Sequence, residues 1–71
     1  RKTTREKLMA YLTDQAKLKR SNDFTIPFNR QELADYLGVE RSAMSAELGK
    51  LTKLGILRTQ RSHFTLLKPL D

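Results

Sequence analysis

No cysteine occurs among the 71 residues. Neither a disulfide nor a thiolate-held zinc or iron–sulfur site can staple the fold, and its stability must come from packing. A reducing compartment suits such a chain, so a cytoplasmic location is the expectation. The one histidine, His63, has no second histidine or cysteine with which to share a metal, so metal-based or imidazole-based catalysis lacks its residues. The three glycines stand singly at 38, 49 and 55, which excludes a glycine-rich phosphate loop. No apolar run approaches the roughly 18 residues of a membrane span, and the opening RKTTREKL lacks the apolar segment of a signal peptide. A soluble chain without a membrane partner follows as an expectation. Glu32, Asp35, Glu40 and Glu47 are spaced as helix-surface residues, and Glu47 with Lys50 is an i,i+3 ion pair rather than an acid–base couple. Met9 and Met44 fall at core spacing. No enzyme activity and no cofactor are expected of this domain.

Positive charge is what the chain has in excess. Lys and Arg number 14 against 8 Asp and Glu, a formal charge of +6 with a pI of about 10.1, and such a balance favours a polyanionic partner. The charge is also segregated. Residues 1–20 hold seven basic and two acidic side chains (+5), residues 21–40 one and four (−3), and residues 41–70 six and one (+5), with Asp71 completing the total.

The stretch from Asn29 to Leu54, NRQELADYLGVERSAMSAELGKLTKL, organises the rest. Asn29 is an N-cap residue whose side-chain oxygen can accept from a free N–H opening a helix over 30–37. Gly38 can take the left-handed conformation that ends this helix and turns the chain sharply through Val39 and Glu40. A second helix starts near Arg41, with Met44, Leu48 and Leu51 at helical spacing facing Leu33, Ala34 and Leu37 of the first. The small Ala34 lies where the axes would cross. Two short helices so joined form a helix-turn-helix, the unit whose second helix enters the DNA major groove.

Upstream, Thr3 and Glu6 form a T-x-x-E capping box before a helix from Thr4 to about Lys19, striped by Leu8, Met9, Leu12 and Ala16 with Tyr11 flanking. Lys17, Lys19 and Arg20 suit the negative end of its dipole. Phe24-Thr25-Ile26-Pro27-Phe28 reads as a short strand that Pro27 confines to an edge or a strand end, with its three apolar side chains on one face. Downstream, Gly55 is placed to end the second motif helix. Ile56–Thr59 and His63–Leu67 read as two strands around a turn Gln60-Arg61-Ser62, a hairpin whose tip carries Arg58, Arg61, Ser62 and His63. Residues 68–71 read as a terminal tail. The fold class expected is mainly α with a small β-hairpin wing: one winged helix-turn-helix domain over residues 1–71, with the motif at 29–54 and the wing at 56–67.

With Met44, Leu48 and Leu51 inward, the second motif helix exposes Arg41, Ser42, Ser45, Ala46, Gly49, Lys50 and Lys53. Small residues there allow close approach to a groove floor, and the cations suit phosphates. Arg30, Arg41, Lys50, Lys53, Arg58 and Arg61 are the expected phosphate contacts, and the wing tip with Ser62 and His63 would lie beside the recognition helix.

NRQELADYLGVERSAMSAELGKL, preceded by FTIPF and followed by GILRTQRSHFTLL, resembles the C-terminal DNA-binding domain of the Crp/Fnr family of bacterial transcription regulators over nearly the whole chain. The likeness lies in Arg30-Gln31-Glu32-Leu33-Ala34, in the Leu37-Gly38-Val39 turn and in a helix opened by Arg41-Ser42. The resemblance implies a full-length protein with an N-terminal cupin-like sensor and a long dimerisation helix. Neither is in this sequence, so the chain is expected to be a fragment of a larger dimeric, effector-responsive regulator. It further implies double-stranded DNA, a second copy of the chain and RNA polymerase as partners, and leaves the sensor's effector unassigned. By the family pattern Arg30 and Gln31 anchor the first motif helix to a phosphate, while Arg41, Ser42 and Ser45 face bases or backbone. Two positions depart: the family's usual arginine after Ser45 is Ala46 here, and Ser42 stands where many members have glutamate. Two other functions fit the elements. One is a winged helix used for protein interaction, which should expose an apolar or aromatic patch. The other is a stand-alone MarR-like repressor, whose dimer would need helices not visible here.

Overall fold

Two of the three helices begin where a side chain satisfies their free N–H groups. The structure, a computed structural model, describes residues 1–68; Pro69-Leu70-Asp71, most of the expected tail, lie outside the described residues. Helix α1 spans Thr4–Lys19. Its box is closed in both directions, the Glu6 N–H donating to Thr3 Oγ1 at 3.1 Å and the Thr3 N–H to Glu6 Oε1 at 2.8 Å. Helix α2, Arg30–Leu37, starts the same way: the Glu32 N–H donates to Asn29 Oδ1 at 2.8 Å and the Asn29 N–H to Glu32 Oε1 at 2.9 Å. Gly38 ends it at φ 71°, and its N–H bonds to the Ala34 and Asp35 carbonyls. Helix α3 spans Arg41–Lys53 and is followed by Gly55 at φ 73°. Its own N-cap, Glu40, makes no side-chain cap bond.

The core is one cluster. Leu8, Met9, Leu12 and Ala16 of α1 meet Leu33 and Ala34 of α2, Met44, Leu48 and Leu51 of α3, and Phe24, Ile26, Leu57 and Phe64 from the sheet side. Ala34 is wholly buried, as a small residue between crossing helices must be.

Two of the three extended segments are shorter than the sequence suggests, and the one expected at Ile56–Thr59 is shifted by one residue to Leu57–Gln60. Strand β1 covers Asp23–Thr25 rather than 24–28, because Pro27 has no N–H to continue a ladder. One further bond, from the Ile26 N–H to the Ser62 carbonyl at 2.9 Å, extends the contact, and Phe24 and Ile26 are buried with Phe28 half-buried, all on the inner side. The hairpin consists of β2 (Leu57–Gln60) and β3 (His63–Leu66) joined by Arg61-Ser62 alone. All three strands form one antiparallel sheet in the order β1-β3-β2, which puts β1 at an edge.

Register corrects the expected wing tip. Arg58 pairs with Thr65, well back from the turn, so it is not a tip residue. In a pleated sheet residues two apart share a face. Phe24, Leu57 and Phe64 line the buried face, while Asp23, Thr25, Arg58, Gln60 and His63 stand on the exposed one.

Candidate nucleic-acid interface

Helical spacing sorts α3 cleanly into two sides. Met44, Leu48 and Leu51 are buried, and Arg41, Ser42, Ser45, Ala46, Gly49, Lys50 and Lys53 are all exposed. The exposed row therefore has a shallow floor of serine, alanine and glycine flanked by three cations. Glu47 sits between the two sides. Its carboxylate accepts from Arg5 Nε of α1 at 2.7 Å, with Lys50 Nζ at 3.6 Å. The Arg5 hydrogen bond, joined by the charges of Arg5 and Lys50, holds the Glu47 carboxyl below the usual range. The i,i+3 pair with Lys50 exists, but the nearer partner comes from α1, and it pins the recognition helix to the rest of the domain.

A cleft of about 400 Å³ opens between the start of α2, the start of α3 and the wing turn. Asn29, Arg30, Gln31, Arg41, Arg61 and Ser62 line it. The structure thus brings three arginines from three elements to one place, beside an α3 N-terminus with no side-chain cap. Uncapped N–H groups and a helix dipole both favour an anion there.

Several expected contact residues have protein partners. Gln31 Nε2 donates to Asp35 Oδ1 along α2 at 2.9 Å. Ser62 is half-buried and its hydroxyl donates to the Phe28 carbonyl at 2.6 Å. The guanidinium of Arg30 bonds to the wing and is half-buried; burial, with the Arg41 charge nearby, lowers its pKa. It remains a cation at neutral pH. His63 adjoins the turn, but its ring leans toward β1, where Nδ1 pairs with Thr25 Oγ1 at 2.8 Å and Nε2 with the Asp23 carboxylate. Hydrogen bonds from His63 and Thr65 lower the Asp23 pKa. The cations of the motif and wing that stay exposed for a ligand are therefore Arg41, Lys53, Arg61 and Lys50, the last with Glu47 3.6 Å away, while Arg58 is set apart on the sheet.

One surface escaped the sequence reading. Tyr36 of α2 is 64% exposed. Its ring centroid lies 5.1 Å from that of Phe28 and 5.4 Å from that of Tyr11. Sequence spacing makes Tyr11 a flank of the α1 stripe, and nothing in it links Tyr11 to residues 28 and 36.

Three helices, a helix-turn-helix closed by a left-handed glycine, and a two-stranded wing joined by β1 into a small sheet define a winged helix-turn-helix domain. The model of the Crp-like helix-turn-helix domain matches residues 6–70, and the chain belongs to that family. It is a DNA-binding domain of transcription regulation. A relative from Rhizobium leguminosarum bv. viciae, named "Probable transcriptional activator", is 29% identical over 51 residues, which are 72% of this chain and 21% of that protein. The chain thus spans about a fifth of that relative's length. No solved structure matches it significantly. No helix among the described residues is long and apolar enough to cross a membrane.

Proposed function

We propose that this domain binds specific double-stranded DNA as the output end of a dimeric, effector-responsive transcription regulator. The observation that carries the reading is the exposed row of α3, with small residues at 42, 45, 46 and 49 and cations at 41, 50 and 53. In this reading α3 enters the major groove, where Ser42, Ser45 and Ala46 lie against base edges or backbone. Arg41, Lys50, Lys53 and Arg61 neutralise phosphates, and the α2 start with Gln31 flanks the strand they hold. Ser62 and His63 shape the wing more than they touch DNA. Dimerisation and effector binding belong to regions outside this chain. The name of the Rhizobium relative, an activator, is the support for RNA polymerase as a further partner.

One observation favours a second surface. The Tyr11–Phe28–Tyr36 cluster is the aromatic patch a protein-interaction module would show. It is carried by α1, α2 and the segment before α2, with no residue from α3 or the wing, so it can coexist with DNA binding.

Salt dependence tests the DNA reading. Four phosphates neutralised predict a slope of log K against log salt of roughly −3 to −4. The six cations named from the sequence would give a steeper line, but Arg30 is engaged by the wing and Arg58 lies off the tip. Affinity of a single head should be low, because tethering a second head makes its binding intramolecular, a gain of roughly 10²-fold or more. A flat titration would reject phosphate binding.

A further inference from the structure

Arg30 opens α2, where a phosphate contact is expected, yet its guanidinium is turned onto the wing. Nη1 donates to the Arg61 carbonyl at 2.6 Å, Nη2 donates to Thr59 Oγ1 at 2.9 Å, and Cζ lies 5.2 Å from the centre of the Phe64 ring. One side chain of α2 thus holds the turn, β2 and β3 together. The residue it holds is under strain. Arg61 adopts φ 56°, a left-handed conformation unfavourable for any residue with a Cβ, and the two-residue turn contains no glycine to relieve it. The next residue, Ser62, is fixed separately by its hydroxyl bond to the Phe28 carbonyl and by the Ile26 N–H.

We propose that Arg30 is a positioning residue for DNA binding, a strut that fixes the wing turn against the start of α2 so that Arg61 is delivered to the phosphate backbone. The inference rests on the DNA-binding reading above. It differs from direct phosphate contact in a way that lysine exposes. A lysine keeps the charge and suits a phosphate, but it cannot span two acceptors and a ring face as the planar fork does.

Binding of one duplex would be compared for wild type, Arg30→Lys, Arg61→Ala and the double variant. Arg61→Ala keeps the carbonyl that Arg30 holds and removes only the charge that the turn delivers. Arg30→Lys should weaken binding about tenfold, and the double variant should bind within about twofold of Arg61→Ala alone, because residues acting through one another are not additive. Wild-type affinity in Arg30→Lys, or losses that simply multiply, would overturn the strut. Thr59→Val guards against poor folding of the Arg30 variants: it removes the Arg30 acceptor, along with the hydroxyl's own bond to the His63 carbonyl at 3.1 Å, without changing any charge. It should weaken binding severalfold, and unchanged binding counts against the proposal.

A readout without DNA separates this inference from the function it rests on. In free Arg30→Lys, backbone order parameters at Arg61, Ser62 and His63 should fall while those of α3 stay unchanged. A turn as rigid as in wild type overturns the strut even where DNA binds. A loosened turn in a domain whose wild type binds no duplex would support the strut and reject the DNA reading.

Discussion

Ala46→Arg should create a requirement for guanine in the half-site where the wild type has none. Ala46 is exposed on the row of α3 that includes Ser42, Ser45 and Gly49. An arginine on a recognition helix can bond bidentately to the N7 and O6 of one guanine, discriminating that base by roughly 1 to 3 kcal/mol. That corresponds to roughly 5- to 150-fold. Alanine has no donor, and its methyl can at most touch a thymine methyl. The added charge also attracts phosphates, so tighter binding to every sequence would not establish the point. Selection from a random DNA pool, run on two tethered copies with and without the substitution, separates the effects. A guanine enriched at one position per half-site is the expected result. An unchanged preference at every position would mean that residue 46 does not face the groove floor and that α3 is rotated about its axis.

Gly38→Val should destabilise the whole domain by about 1 to 3 kcal/mol. The cause is backbone conformation rather than crowding. Gly38 has φ 71°, and a Cβ built there would meet nothing within 4 Å. A β-branched side chain in that conformation is strained however much space surrounds it. For a domain this small each kcal/mol moves the melting temperature by roughly 4 to 8 °C. Gly38→Ala serves as the control, with a smaller loss of the same sign because its side chain is unbranched. Superimposable melts of wild type and Gly38→Val would contradict the left-handed turn between α2 and α3, and with it the angle at which α3 is presented.

Local chemistry was legible in the sequence, and contacts between distant residues were not. Thr3 with Glu6, Asn29, and Gly38 mark where helices start and stop because caps act within a turn of the chain, and all three act as their types suggest. The outward row of α3 follows from periodicity in one helix. The wing's existence was equally plain, but its register was not. Gln60-Arg61-Ser62 contains no glycine, asparagine or proline to fix a turn, and the tight two-residue connection leaves Arg58 opposite Thr65 instead of at the tip. Partners far apart in sequence escaped for the same reason. Arg5 finds Glu47 across 42 positions, His63 finds Asp23 across 40, and Arg30 finds Arg61 across 31. No spacing rule encodes such pairs; they exist only once the helices and sheet have packed. The family pattern assigns Arg30 to a phosphate from its position along a helix, and its bonds to Arg61 and Thr59 of the wing lie outside what such a pattern records.

Amide mapping decides whether α3 and the wing turn form the DNA-binding face. The 15N-labelled domain would be titrated with a duplex at low salt, where phosphate attraction is strongest. The largest shifts and broadening should fall on Arg41, Ser42, Ser45, Ala46, Gly49, Lys50 and Lys53, with Arg61 and Ser62 following. Shifts gathered instead around Tyr11, Phe28 and Tyr36, with α3 unmoved, would contradict that assignment.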